Sequence, residues 1–285
     1  RKTTGIIGVI IPYLNDLFFT KLLESIERAA MDAGFTVITQ CSHSDPLIEA
    51  RAAETFMSMS VDGALVAPLG NHSDMKVHDR LRARMPFMLF DSRPKNMPDV
   101  DFVGTNHDQS TGLATEYLCR VGAPPVFLAM PRVNFNAMER ENAYIAKMNE
   151  LGFEPHIIGT EMIQDIGLFE AHGQAVLDRE FAAGRLIESS ILCVNDRVAI
   201  GALRAAASHG LEPGGKRMGG LRIMGHDDYP LCPYTVPSLT TVAQNVDEIG
   251  RTAVSRLVGA IHAQQMPEGQ FVKLLDGDIK VRESA

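Results

Sequence analysis

The stretch that most constrains the fold of this chain runs from Ile191 to Tyr229. It begins with four apolar residues, Ile191 to Val194, which are typical of a short buried strand. Apolar residues then recur at helical spacing as far as Gly210, which is expected to end the helix. A second apolar strand, Leu221 to Met224, follows a glycine-rich turn. A strand, a helix and a strand within about 35 residues form a βαβ unit, so the stretch predicts a parallel sheet.

Polar residues directly follow both of these strands. Asn195 and Asp196 come after the first strand, and Asp227 comes after the second. Because parallel strands end at one edge of their sheet, and open α/β sheets bind ligands there, we expect these side chains to line a binding site. Asp196 is also placed to cap the following helix, so the ligand contact is expected from Asn195. The stretch therefore predicts that a small polar molecule is bound at this edge.

The rest of the chain repeats the alternation of strands and helices. Apolar runs predict further strands at Gly5 to Ile11, Phe35 to Thr39, Gly63 to Ala67, Pro86 to Phe90, Val100 to Gly104, Val126 to Met130 and Leu239 to Val242. Helical spacing of apolar residues between these runs predicts crossover helices, one of which has Pro46 in its first turn. The alternation is typical of a doubly wound parallel sheet. It starts again near residue 105, and two series of about 100 residues each predict two similar lobes.

The predicted fold class is therefore α/β, with two doubly wound parallel-sheet lobes joined by several hinge crossings. Short connections near residues 104–107, 234–238 and 264–268 are the expected crossings. We expect the amino-terminal lobe to comprise residues 1–105 and 238–265. The carboxy-terminal lobe is expected to comprise residues 106–237 and 266–285.

Composition excludes several classes of function. The formal net charge is −8 and no cluster of Lys and Arg occurs, so the chain is not expected to hold nucleic acid unaided. No apolar run approaches the roughly 18–20 residues that a membrane-spanning helix needs, so no membrane partner is expected. The four cysteines are widely spaced without a CxxC pair, which favours buried thiols in a reducing compartment, the cytoplasm.

Motifs that suggest catalysis are weak. Gly210 to Lys216 matches most of a phosphate-binding P-loop, but Arg217 stands where a Ser or Thr would have to reach magnesium. A strand is also expected after this segment where a P-loop needs a helix. His107 and His226 are not expected to be metal ligands, because no second cluster of Cys or His accompanies them. We therefore expect neither an enzyme nor a cofactor.

Amide, carboxylate and guanidinium side chains at the predicted strand ends suit a ligand rich in hydroxyl groups. Each has a purely structural alternative: Phe18 and Phe19 are either core residues or a surface that stacks on a sugar ring, Asp91 is a turn residue, and Arg140 is a solvated charge. The candidate ligand-binding residues are Asn15, Asp16, Phe18, Phe19, Asn71, Asp91, Arg93, Arg140, Asn195, Asp227 and Gln244.

Several motifs in order resemble one family along essentially the whole chain. They are TTGIIGVIIPYLNDLFFTKLLESIERAA from Thr3, VDGALVAP, VDFVGTNHDQSTGLATEYL, CVNDRVAIGALRAA, RIMGHDDYPLCPYTVPSLTTVAQNVDEIGRTAV and the closing VRESA. Together they resemble the effector-binding region of LacI-type bacterial transcription regulators. The resemblance implies a fold shared with type I periplasmic sugar-binding proteins.

The resemblance also implies roles for individual residues. In the family, positions that match Asn15, Asp16, Phe18, Phe19, Asn71 and Asp91 line the first-lobe side of the cleft. Positions that match Arg140, Asn195, Asp227 and Gln244 bind the ligand in the sugar-binding relatives. Three departures stand out: Asp91-Ser92-Arg93 leaves open whether Ser92 or Arg93 faces the cleft, and Asn106-His107 and His226 replace residues that are common in the family.

The function implied is sensing. A sugar or sugar derivative is expected to bind between the lobes and to control binding to operator DNA by an allosteric change, typically worth ~1–3 kcal/mol. In the family, a helix-turn-helix domain and a hinge helix, both outside this sequence, bind DNA as a homodimer. The alternative is a periplasmic sugar-binding protein that serves a transport system.

Overall fold

The computed structural model describes residues 3–69, 72–94, 99–131, 135–161, 169–214, 220–266 and 269–285. Its described helices are α1 (Leu17–Asp32), α2 (Pro46–Met59), α3 (Met75–Arg84), α4 (His107–Val121), α5 (Phe135–Glu150), α6 (Phe169–Ala182), α7 (Asp196–Ser208) and α8 (Val246–Ala263). Its described strands are β1 (Ile6–Ile11), β2 (Thr36–Cys41), β3 (Gly63–Val66), β4 (Phe87–Phe90), β5 (Phe102–Thr105), β6 (Val126–Leu128), β7 (Ile157–Ile158), β8 (Ser190–Cys193), β9 (Arg222–Asp227), β10 (Thr240–Ala243), β11 (Val272–Leu275) and β12 (Asp278–Lys280).

The chain divides into two units, each built on its own six-stranded sheet. The first unit contains the residues up to Thr105 and Asn245–Leu275, and its strands lie in the order β11-β5-β4-β3-β1-β2. All the strand pairs of this sheet are parallel. The core on one face of the sheet includes Phe56 and Leu81, which have no exposed surface. The predicted fold class is confirmed for this unit.

The second unit contains Asn106–Gln244 and Asp276–Ala285, and its strands lie in the order β12-β10-β9-β8-β6-β7. Its strands pair in parallel except for β12, which runs antiparallel to β10. The βαβ unit predicted from Ile191 to Tyr229 is present as β8, α7 and β9, with β8 and β9 adjacent and parallel. The sheet thus brings the ends of β8, β9 and β10 to one edge.

The units differ from the predicted lobe bounds in two segments. Of the predicted first-lobe segment 238–265, residues from Asn245 onward lie in the first unit, but β10 pairs with β9 in the second sheet, with Thr240 opposite Met224. Of the predicted second-lobe segment 266–285, Asp276–Ala285 lies in the second unit, but β11 pairs with β5 in the first sheet. The segment at 234–238 is not a crossing, because it connects two neighbouring strands of the same sheet. The chain instead passes between the units at Gln244 and Asn245, after β10 rather than before it.

Helix starts in the structure follow from side-chain caps. Six helices begin after an Asp or Asn whose side chain accepts a hydrogen bond from a backbone N–H of the first turn, which satisfies a donor that the helix itself cannot. These residues are Asp16, Asp45, Asp74, Asn106, Asn195 and Asn245. Asp45-Pro46 opens α2 as the sequence predicts. None of the described helices is long and apolar enough to cross a membrane.

Candidate functional site

Three of the predicted site residues meet at the carboxyl edge of the second sheet. Asp227 is the last residue of β9, and Gln244 directly follows β10. Arg140 reaches the same point from α5, and its Nη2 donates to Oδ1 of Asp227 at 3.0 Å. Nε2 of Gln244 donates to the same oxygen at 2.6 Å. Residues separated by as many as 104 positions therefore form one polar cluster (244 − 140).

Arg140 is held from three sides. Its Nη1 donates to the carbonyl oxygen of Val194 at 2.8 Å, and its Nε is 3.4 Å from Nδ1 of His107. The residue is only 6% exposed, so the alternative that it is a solvated charge is wrong. Because a guanidinium carries five N–H donors, donors remain after these three bonds. The helix and the end of β8 thus fix the direction of a buried cation.

The Asp227 carboxylate is partly satisfied. Oδ1 accepts from Arg140, from Gln244 and from Nδ1 of His226 at 3.2 Å. Among the described residues no group donates a hydrogen bond to Oδ2 of Asp227. Burial raises the pKa of the Asp227 carboxyl, while the Arg140 charge and the hydrogen bonds from Gln244 and Arg140 oppose that rise. One oxygen therefore fixes the orientation of the group and the other remains an acceptor.

The backbone at the end of β9 is strained. Asp227 has φ +130 and Asp228 has φ +54, and non-glycine residues rarely adopt such values. The Asp228 carboxylate points elsewhere and accepts from Nη2 of Arg282 at 2.7 Å. Two adjacent carboxylates are therefore directed to two different partners, and only Asp227 belongs to the cluster.

Two buried histidines flank the pair of Arg140 and Asp227. The ring centroids of His107 and His226 are 5.8 Å apart. Burial lowers the pKa of His107 well below 6.5, and the charge of Arg140 and the proximity of the His226 ring lower it further, while a hydrogen bond with Asn136 acts in the opposite direction. Burial and then the Arg140 charge lower the pKa of His226 in the same way. Both rings are therefore neutral at neutral pH.

Asp196 is not the cap of α7. Asn195 is the cap, because its Oδ1 accepts from the backbone N–H of Val198 at 2.9 Å. Asp196 is fully buried and accepts from the backbone N–H of Tyr229 at 2.7 Å and from the Thr241 hydroxyl at 2.5 Å. Burial raises the pKa of Asp196 to about 7, the nearby Asp227 charge raises it too, and these hydrogen bonds counteract both. Its role is to connect the start of α7 to β10 and to the loop after β9.

Glycine at position 225 makes room for this carboxylate. A Cβ atom added to Gly225 would lie 2.1 Å from Oδ1 of Asp196, which no real contact allows. The Asn195 side chain, which is half-buried, keeps its amide nitrogen directed away from the cap, 3.9 Å from the sulfur of Met130. Because that contact is long and weak, the amide N–H groups of Asn195 remain available to a ligand.

The first unit places its predicted site residues at the ends of β1 and β4, where most have structural roles. Asp16 caps α1 by accepting from the N–H of Phe18 at 3.0 Å. Phe18 and Phe19 are 6% and 7% exposed and pack edge to face, with ring centroids 5.2 Å apart, so they belong to the core. Asn15 is exposed in the loop before the cap.

The end of β4 distinguishes Ser92 from Arg93. Asp91 is buried and has φ +64, so the chain turns sharply there, as the turn-residue alternative expects. Ser92 is 3% exposed and its hydroxyl has no partner among the described residues. The Arg93 guanidinium lies over the Phe102 ring, 5.5 Å from its centroid, which accounts for that side chain within the unit. Asn71, the other candidate in this unit, lies outside the described residues.

Three residues of the second unit were not among the sequence-predicted site. His107 contacts Arg140, and His226 contacts Asp227. Ser110 contacts His226, with its Oγ 2.9 Å from Nε2 of that ring. The two histidines stood out in the sequence as departures from a family pattern and as rejected metal ligands, and neither signal placed them at the site. No sequence signal pointed to Ser110, because its contact spans 116 positions. No cluster of three or more metal-ligating side chains occurs within the described ranges.

Comparison with known proteins identifies the fold family. Residues 115–285 match the profile of the periplasmic binding protein-like domain. The HTH-type transcriptional regulator MalR of Streptomyces coelicolor is 28% identical over 282 residues, which cover 95% of this chain and 78% of the relative. The ribose operon repressor of Escherichia coli is 26% identical over 260 residues, which cover 90% of this chain and 76% of the relative.

Solved structures agree with this result. A dimeric Lac repressor superposes with a TM-score of 0.82 at 21% identity, covering 98% of each chain. A protein from Sanguibacter keddieii described as a transcriptional regulator of the LacI family superposes with a TM-score of 0.83 at 26% identity, covering 99% of each chain. The chain belongs to the family of periplasmic binding protein-like domains. Within that family its sequence and fold are similar to those of the effector-binding region of LacI-type transcriptional regulators, so the resemblance seen in the sequence is confirmed.

Proposed function

We propose that this region of a LacI-type regulator binds a hydroxyl-rich effector, a sugar or sugar derivative, through Arg140, Asn195, Asp227 and Gln244. The observation that carries the proposal is the cluster around the Asp227 carboxylate. Arg140 and the Asn195 amide have donors to spare, and Oδ2 of Asp227 accepts no bond from a described residue. A hydroxyl group both donates and accepts, so it complements both kinds of atom at once.

Stability alone does not explain this cluster. Arg140 and Asp227 have side chains only 7% and 9% exposed, and taking two charges out of water costs about as much as their attraction returns. Replacement of a buried ion pair by apolar residues of similar volume is often neutral or stabilising. A buried ion pair at the ligand-binding edge of a parallel sheet is therefore better explained by recognition.

The first unit supplies a second set of candidates in this proposal: Asn15, Asp16, Phe18, Phe19, Asn71, Asp91 and Arg93. Their support is their place after β1, β3 and β4 of a parallel sheet, together with the family resemblance. The exposed Asn15 and the Ser92 hydroxyl without a partner are the strongest of this unit, because the other described side chains already have structural roles.

The proposal extends to the consequence of binding. Among the relatives are HTH-type transcriptional regulators and repressors of sugar operons, so effector binding is proposed to change the affinity of a homodimer for operator DNA in the cytoplasm. The chain's negative charge supports the assignment of DNA binding to another domain. A transport role is not favoured, because these relatives are regulators.

A thermal-shift screen tests the proposal. D-ribose, maltose and related sugars are expected to raise the melting temperature, whereas nucleobases are not. Asp227→Asn is expected to weaken the response at least about tenfold, because it removes the charge that orients Arg140. Asn195→Ser, which keeps a cap for α7 but removes the amide donors, is expected to weaken it less.

The matched control is Asp228→Asn. This residue adjoins Asp227 at the end of β9, but its carboxylate is bonded to Arg282. Its substitution should leave the response to sugars unchanged. Stabilisation by nucleobases instead of sugars would contradict the proposed ligand class, and an undiminished response of Asp227→Asn would remove this residue from the site.

A further inference from the structure

A line of buried hydrogen bonds connects the Asp227 carboxylate to the first turn of α4. Nδ1 of His226 is 3.2 Å from Oδ1 of Asp227, and Nε2 of the same ring is 2.9 Å from the hydroxyl of Ser110. His226 is 2% exposed and Ser110 is fully buried. We call these three residues, Asp227, His226 and Ser110, the buried polar relay.

The direction of each hydrogen bond in the relay follows from its surroundings. Oδ1 of Asp227 already accepts from N–H groups of Arg140 and Gln244, so it carries no proton and can only accept from His226. The His226 ring is neutral and therefore has one N–H, which must be on Nδ1. Nε2 is then an acceptor, and Ser110 must donate to it. The relay admits a single tautomer of the histidine.

The other side of the same helical turn is bonded to the segment that follows β11. Nε2 of Gln109 donates to the carbonyl oxygen of Gly277 at 3.2 Å, and Oε1 of Gln109 accepts from the N–H of Gly277 at 2.8 Å. Nδ2 of Asn106, the cap of α4, donates to Oδ1 of Asp276 at 3.0 Å. Asp276 is the residue at which the chain re-enters the second unit.

Ser110 touches both ends of this arrangement. Its hydroxyl contacts His226, and its β-carbon would be 2.8 Å from a Cβ atom added to Gly277. Only glycine allows the segment to approach the helix so closely. Close contacts therefore run without a gap from the Asp227 side chain through His226 and Ser110 to the backbone of Gly277.

We propose that Ser110 and His226 are positioning residues of the effector site, which hold the Asp227 carboxylate in its binding orientation and transmit its occupancy to the segment at Asp276 and Gly277. The identity of the ligand rests on the proposed function, whereas the hydrogen bonds of the relay do not depend on it. The two residues touch no ligand in this scheme. They act through Asp227 on one side and through the turn at Gly277 on the other.

The test uses the 285-residue chain with Ser110→Ala, and with Thr115→Ala as the matched control. Alanine keeps the β-carbon that packs against Gly277 and removes only the hydroxyl. Thr115 is also a fully buried hydroxyl residue of α4, but its Oγ1 donates to the carbonyl of Thr111 within the helix. Any effect of Ser110→Ala that Thr115→Ala lacks therefore belongs to the relay.

Three readouts are compared. In the unliganded chain, nitrogen NMR of His226 should show the Nδ1–H tautomer, and Ser110→Ala should shift the Nε2 resonance, because Nε2 loses its hydrogen-bond donor while Asp227 still holds the proton on Nδ1. The amide exchange rate of Gly277 should rise at least about fivefold in Ser110→Ala. The reason is that the first turn of α4, which is bonded to Gly277, loses its contact with His226. Affinity for D-ribose or maltose, whichever stabilises the wild-type chain, should fall about tenfold, as expected when a buried polar group loses its partner.

The outcomes separate the two proposals. If neither sugar stabilises the wild-type chain, the proposed ligand class fails, while the tautomer and the exchange rate still decide on the relay. If a sugar binds but Ser110→Ala matches Thr115→Ala in all three readouts, the relay is wrong and the proposed function stands. His226→Phe should reproduce the loss of affinity, and unchanged affinity in that variant would also overturn the inference.

Discussion

The two sheets of this chain end in edges that look alike in the sequence and differ in the structure. At the edge of the second sheet, Arg140 and Gln244 both donate hydrogen bonds to Asp227. At the edge of the first, Asp16 caps a helix and Arg93 lies over an aromatic ring of the core. The residues at the edge of the second sheet form a network with unused donors and acceptors. The residues at the edge of the first sheet are largely explained by local structure.

The difference shows what a list of polar residues at strand ends can predict. Every parallel sheet brings such residues to one edge, because its strands run in one direction. Whether they recognise a ligand depends on where their hydrogen bonds are directed. A carboxylate directed at a backbone N–H in its own turn serves the fold, whereas one directed at a buried arginine from a distant helix has no such local use.

The largest expected effect comes from breaking the network at Asp227. Asp227→Ala leaves Arg140 as a buried charge without its counter-ion, which should lower the free energy of unfolding of the second unit by about 3–5 kcal/mol. Urea denaturation followed by circular dichroism measures the loss. The control in the first unit is Glu24→Ala, which removes an exposed partner of Arg28 and should cost no more than about 1 kcal/mol. Equal losses in the two variants would contradict the comparison.

A second prediction concerns acid. His107 and His226 have pKa values well below 6.5 in the folded chain, so below pH 6.5 the unfolded state binds protons that the folded state does not. Stability should therefore fall as the pH falls from 6.5 toward the folded pKa values, by up to about 1.4 kcal/mol per pH unit for each histidine. Stability of the wild-type chain and of His226→Phe, measured by urea denaturation between pH 7.5 and about 5, should show a shallower slope for the variant.

The buried Asp196 works with the opposite sign. Its pKa is raised to about 7, so as the pH rises from about 4 to about 7 the unfolded state loses a proton that the folded state keeps. That group therefore removes stability with rising pH through this window, and its effect is complete above about pH 7. Because the wild-type chain and His226→Phe both keep Asp196, the difference between their slopes isolates the contribution of the histidine. A His226→Phe chain with the wild-type slope would show that this ring does not titrate differently on folding.

Much of the fold was predictable from short-range patterns. Runs such as Ile191 to Val194 end at turn residues, and Asp45-Pro46 marks a helix start, because caps and strand boundaries depend on neighbouring residues. The assignment of β10 and β11 to their sheets was not predictable in this way. It depends on which strand each one pairs with, and Thr240 and Val272 find partners 16 and 170 positions away (240 − 224 and 272 − 102).

The candidate site was predictable in kind and not in connectivity. Asp227 and Gln244 could be named because each follows an apolar run, and Arg140 because of the family resemblance. Their bonds to one another, and the inclusion of His107 and Ser110, depend on side-chain directions that no spacing encodes. Asp196 and Asn195 illustrate the limit, because either of two adjacent polar residues could cap α7 and only the structure assigns the cap to Asn195.

A third prediction separates the two roles open to Asp16. Asp16→Ala should lower the free energy of unfolding of the first unit by about 1 kcal/mol, because α1 loses the bond from its cap to the N–H of Phe18. Asp16→Asn keeps an oxygen for that bond and should cost only a few tenths of a kcal/mol. Denaturation curves give both values, and the response to sugars is measured in parallel. Loss of the sugar response in Asp16→Asn with stability retained would give the first edge a share in recognition that its local structure does not require.

The smallest expected effect is at Arg93, where the comparison between the edges is sharpest. Its guanidinium lies 5.5 Å from the centroid of the Phe102 ring and is half-buried, a geometry worth about 0.5–1 kcal/mol. Arg93→Ala should cost about that much stability and leave the response to sugars unchanged, because the cation is occupied within its own unit. Ser92→Ala should leave stability nearly unchanged and weaken the response to sugars. Its buried hydroxyl has no partner among the described residues and adds little to stability. A lost sugar response in Arg93→Ala with an intact one in Ser92→Ala would show that the arginine leaves Phe102 when ligand binds, and that the first edge, like the second, uses a cation for recognition.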